Sequence, residues 1–89
     1  MRVDVHLARA KAEALLNQTV RKDVADVVIN DEATRETPTC WIFFYNTRAY
    51  LETGSILHAL AGNAPIFVMK EDPTAYFGRT DAPVEDQIP

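Results

Sequence analysis

The apolar positions of this chain follow two different periods. Val5, Ala8, Ala12, Leu15 and Leu16 recur at helical spacing, with Arg9, Lys11 and Glu13 mostly off that stripe. The pattern predicts an amphipathic helix over residues 4–17. Asp4 suits its N-cap, where a carboxylate accepts from the exposed amides of the first turn, and Asn17 marks a stop. Residues 24–29 are rich in Val and Ile and predict a strand, and the polar run over residues 30–38 predicts a connecting loop. Residues 39–45 are almost continuously apolar, the pattern of a central strand buried on both faces.

Residues 46–61 lack clean alternation and predict an irregular crossover, in which 55–60 supply a short helical turn after Gly54. Gly62-Asn63-Ala64-Pro65 is turn chemistry, because Gly and Asn tolerate positive φ and Pro biases its predecessor to an extended conformation. A strand is expected over 66–69, a hairpin turn over 71–74, and an antiparallel return over 75–78. The expected architecture is α+β: an N-terminal helix on a four-stranded antiparallel sheet, with the crossover between strands 2 and 3. One domain is expected, with an ordered core over 1–80 and a loose tail over 81–89, where Pro83 and Pro89 lie.

Along the central strand, Trp41, Phe43 and Tyr45 point one way and Cys40, Ile42 and Phe44 the other. Both sets are apolar, yet a single helix screens only one face. The second face calls for a cover. Tyr50, Leu51, Ile56, Leu57 and Leu60 of the crossover are candidates, and homodimerisation or docking of a partner is the alternative. If left accessible, Trp41, Phe43 and Tyr45 are candidate partner-binding residues, since such aromatics are enriched at binding hot spots.

Composition and charge narrow the partner. The chain has 89 residues, 47% hydrophobic and 25% charged, which describes an ordinary globular sequence. A net charge of -4 gives no footprint for phosphate backbones, so nucleic acid is not expected. Asp31, Glu32 and Glu36 instead suggest contact with a basic protein surface. Cys40 is the lone cysteine, so no internal disulfide forms and a reducing cytoplasm fits. The polar N-terminus is followed by no apolar run, so neither a signal peptide nor a membrane span is expected.

Catalytic arrangements find little support. Cys40 and His58 form a conceivable thiol–base pair, but Cys40 sits in an apolar strand and reads as a buried, inert thiol. Ser55 and His58 stand three apart with no positioned acid beside them. His6 and His58 lack zinc-site spacing, and the acidic loop lacks calcium-loop spacing. Gly54 and Gly62 belong to no phosphate-cradling motif, and no cofactor or enzymatic activity is expected.

Three segments carry a resemblance in their order and spacing: Trp41-Ile42-Phe43-Phe44-Tyr45, Tyr50-Leu51-Glu52-Thr53-Gly54, and Leu60-Ala61-Gly62-Asn63-Ala64-Pro65-Ile66-Phe67-Val68. Over residues 38–80 the chain resembles the immunity protein 35 family, also called YrhB-like. The resemblance implies a bacterial, cytoplasmic, non-enzymatic protein of polymorphic toxin systems that binds and neutralises a cognate toxin. The family's shared positions fall on Trp41, Tyr45, Gly54, Gly62, Asn63 and Pro65, and turn chemistry already accounts for Gly62, Asn63 and Pro65. The family pattern runs on after a segment like Pro83-Val84-Glu85-Asp86, so a shortened C-terminus here is expected to leave more of the sheet open. The alternatives are a holdase-like or general interaction module using an apolar sheet face, and a thiol-dependent hydrolase built on Cys40.

Overall fold

The computed structural model describes residues 3–60 and 63–89. Gly62, assigned to the turn before the third expected strand, lies outside the described residues. Helix α1 (Val5–Gln18) starts where the Asp4 side chain accepts from the Leu7 amide at 2.9 Å. It ends at Thr19, whose hydroxyl donates to the Leu15 carbonyl at 2.6 Å. Ala8, Ala12 and Leu16, four residues apart, are fully buried. Alanine at two of these positions lets the helix axis sit close to the sheet beneath it.

The strands are β1 (Val27–Ile29), β2 (Arg35–Glu36), β3 (Cys40–Phe43), β4 (Tyr45–Thr47), β5 (Ile66–Met69) and β6 (Ala75–Phe77). A four-stranded antiparallel sheet runs in the order β2-β3-β5-β6, and β1 pairs with β4 in a separate two-stranded ladder. The α+β architecture with an N-terminal helix is as expected, and the sheet membership differs. The first expected strand joins β4, while the edge of the main sheet is taken by β2, from within the run read as a loop. The apolar central run is two strands meeting at Phe44. The Phe44 carbonyl still accepts from the Asn30 amide at 2.8 Å, so the bend leaves this backbone group satisfied.

Helix α1 lies over β3, β5 and β6. Beneath it Ala8, Ala12, Leu16, Phe43, Tyr45, Ile66 and Val68 share one core with Val27 and Ile29. On the opposite side of β3 and β5, Cys40, Ile42 and Phe67 form a second buried cluster. Its cover does not come from the crossover. Val84 and Ile88, together with Phe44 and Met69, pack against it. Residues 81–89, read as a loose tail, include a 3-10 turn at Val84–Gln87 tied back to the domain. Gln87 accepts from the Arg79 amide at 2.5 Å, Arg35 pairs with Glu85 at 3.2 Å, and Thr39 donates to the Pro89 carbonyl at 3.0 Å. The expectation of an open second face is therefore corrected: the chain's own C-terminal turn lies on it.

Gly78 shows how tight that cover is. A Cβ at this position would stand 2.6 Å from Phe67 Cε1 and 2.9 Å from Gln87 Oε1, so only glycine lets strand and turn approach this closely.

Candidate functional site

With the centre of both faces of the main sheet covered and Tyr76 at its β6 edge only 38% exposed, the most accessible apolar surface lies at the end of the fold. The crossover supplies it. After β4 the chain forms helix α2 (Arg48–Thr53), then a 3-10 turn at Ile56–His58. Thr47 starts the helix by accepting from the Tyr50 amide at 3.1 Å. Gly54 ends it in the left-handed conformation, φ 70°, with its amide donating to the Tyr50 carbonyl at 2.7 Å. Ser55 then donates its amide to the Thr53 hydroxyl at 3.1 Å.

Two residues at the base close the loop. The Thr47 hydroxyl, on a buried residue, donates to the His58 carbonyl at 2.6 Å. The Asn46 side-chain oxygen accepts from the Leu60 amide at 2.7 Å and from the Thr47 amide at 2.8 Å. Asn63 donates from its side chain to the Tyr45 carbonyl at 2.7 Å, and Pro65 is buried at the entry to β5. Leu60 packs into the core under α1.

The side chains held at the tip of this loop face water. Ile56 is 80% exposed and Leu57 89%, while Leu51 on α2 is 36% exposed. Burying an Ile or Leu side chain is worth about 1.5–3 kcal/mol, so the fold forgoes roughly twice that at the tip. Ile56 and Leu57, candidates for covering the sheet, do not lie on it. Their short turn is fixed at its base on β4, away from the second cluster, which the C-terminal segment fills.

The aromatic residues expected to meet a partner are placed otherwise. Phe43 and Tyr45 are buried under α1 and offer no area to another molecule, because β3 and β4 turn these side chains toward the helix. Burial raises the Tyr45 phenol above its ordinary pKa. Trp41 is half-buried. Its indole N–H donates to the Val3 carbonyl at 3.0 Å, and the Lys70 ammonium lies 5.0 Å from the ring centroid. This aromatic surface is engaged inside the chain.

The three acidic candidates divide. Asp31 receives a two-pronged contact from Arg9, at 2.7 and 3.2 Å, and this hydrogen bond, partly opposed by desolvation, raises the Arg9 pKa. Glu36 pairs with the buried Lys70 at 2.5 Å. Glu32 is exposed and makes no ion pair among the described residues. It is the one of the three with its charge uncompensated there.

Cys40 is fully buried, with its sulfur 3.2 Å from the Thr37 hydroxyl, so a substrate has no approach to it as placed. His58 is exposed on the tip and gives its amide to the Ser55 carbonyl in a backbone turn contact. His6 is exposed on α1. Among the described residues no group of three or more His, Cys, Asp or Glu side chains is placed to hold a metal ion, and no helix is long and apolar enough to cross a membrane.

The tip was missed in the sequence because an exposed Leu and a buried Leu look alike there. The available signal was Gly54 followed by a short apolar pair between polar residues, a turn too brief to bury anything.

Comparison with curated proteins and with solved structures gave no significant match. The family model described as Immunity protein 35 matches residues 6–87, from the first turn of α1 to the C-terminal turn. With that match spanning nearly the whole α+β fold, the chain belongs to the immunity protein 35 family.

Proposed function

We propose that this protein protects the cell that makes it by binding a cognate bacterial toxin and covering the toxin's working surface, without catalysing a reaction. Membership of the immunity protein 35 family carries the reading. The buried thiol at Cys40 and the water-facing Ile56 and Leu57 agree with a protein whose surface is built for contact. An acidic balance, net charge -4, adds attraction toward a basic partner, and Glu32 is a carboxylate free to supply it. The cytoplasm is where such a protein meets toxin before export or after entry. The alternative of a general interaction module rested on an open apolar sheet face, and that face is covered by Val84 and Ile88.

The test is co-expression. Cells carrying the toxin encoded beside this chain are expected to survive when the chain is present and die when it is absent. Death in both cases rejects the proposal for that toxin. Glu32→Lys is expected to slow association by about two- to tenfold at low salt with little change in dissociation, and an unchanged rate removes Glu32 from the contact.

A further inference from the structure

We infer that Ile56 and Leu57 are the anchor of the interface, a two-residue plug that seats in a concave apolar pocket on the toxin. This rests on the immunity reading above and adds the chemistry of the contact. Three observations lead to it.

The tip is organised before any partner arrives. Thr47, Asn46, Thr53 and the left-handed Gly54 all hold the loop through hydrogen bonds of 2.6–3.1 Å, so its shape does not depend on burying Ile56 and Leu57. An anchor held in its bound shape loses little conformational freedom on docking. The same base turns Leu60, three residues later, into the core and leaves Ile56 and Leu57 in water.

The chemistry of the tip selects the pocket. Ile and Leu side chains carry no hydrogen-bonding atoms, so the receiving walls must be apolar. The exposed neighbours Glu52 and His58 and the half-buried Ser55 place polar groups at the rim. An aliphatic centre with a polar surround is the layout in which a few residues supply most of the affinity.

Size and charge separate the toxin from other occupants. Two aliphatic side chains fall well short of the ~800 Å² per partner that a stable interface buries, so tip-to-tip pairing of two copies is too small to hold a dimer. As an anchor within a larger contact the same two residues suffice. An anionic lipid surface is disfavoured by the charge balance of -4 and by Glu52 beside the tip.

Titration calorimetry of the toxin encoded beside this chain tests the anchor, using the parent protein, Ile56→Ser/Leu57→Ser, and Leu7→Ser as a similar exchange on exposed α1 surface. The tip variant is expected to keep the parent's melting temperature and raise Kd about 100-fold, while Leu7→Ser stays within about threefold. Parent and tip variant binding alike overturns the anchor and leaves the immunity reading standing. A parent that does not bind overturns that reading and the anchor with it. Light scattering is expected to show a monomer, and a dimer abolished by the tip substitutions, or tip-dependent binding to phosphatidylserine vesicles, also overturns the assignment.

Discussion

The buried hydroxyl of Thr47 donates to the carbonyl of His58 at 2.6 Å, joining the end of β4 to a residue eleven positions later, on the far side of the tip. The same oxygen caps α2 by accepting from Tyr50. One side chain thus sets both where the helix begins and where the tip returns, which makes the position of Ile56 and Leu57 a consequence of the sheet.

Thr47→Val keeps the shape and removes both contacts. It is expected to cost about 1–2 kcal/mol of stability, from loss of the cap and of a buried hydrogen bond. Amide exchange over residues 55–60 should accelerate more than exchange in β5. Unchanged protection of the tip would show that Thr47 does not hold it.

Gly78→Ala pushes a methyl group against Phe67 and Gln87, at the seam between β6 and the C-terminal turn. A loss of about 1–3 kcal/mol is expected in chemical denaturation, as for overpacking in a core. Wild-type stability would mean that the turn is not seated on the sheet as described.

Ile88→Ala thins the cover over Cys40. Local opening of the C-terminal segment should then expose the thiol more often, and alkylation of Cys40 in the folded protein is expected to rise about tenfold. An unaltered labelling rate would contradict the assignment of Ile88 as cover.

The same segment is expected to loosen in acid. Glu85 has its pKa lowered, first by its own backbone amide and then by Arg35, and Asp81 has its pKa lowered by Arg79. A lowered folded pKa means that the stabilising contribution is complete above the ordinary carboxylate value and is lost as pH falls through the lower, folded one. Amide protection over residues 84–88 should therefore hold at neutral pH and fall below the ordinary carboxylate range. Protection independent of pH there would count against these contacts.

Much of the scaffold was legible in the sequence. Asp4 and the Ala8, Ala12, Leu16 stripe announced α1, because capping and periodicity act within a few residues. The break at Phe44 that sends Tyr45 into β4 and the second ladder was not announced, while the apolar run from Cys40 announced a strand buried on both sides, and that holds over β3. What covers it was not legible, since Val84 and Ile88 stand among Pro, Glu and Asp with too few apolar neighbours to form a pattern. Strand β2 was hidden for a related reason: Arg35 and Glu36 are exposed edge residues, and their pairing with Ile42 and Trp41 is a long-range event. At the candidate site, hydrophobicity named Ile56 and Leu57 and misplaced them. Their exposure follows from the hydrogen bonds that Thr47 donates and Asn46 accepts, at two polar residues that form no pattern as sequence.

The central claim is that the preorganised tip enters the toxin, and amide exchange of the complex reads it most directly. Residues 55–60 are expected to gain protection on binding the cognate toxin, with little change over α1 residues 9–16, whose amides are already hydrogen-bonded within the helix. Protection gained elsewhere on the domain while 55–60 exchange as in the free protein would contradict the account.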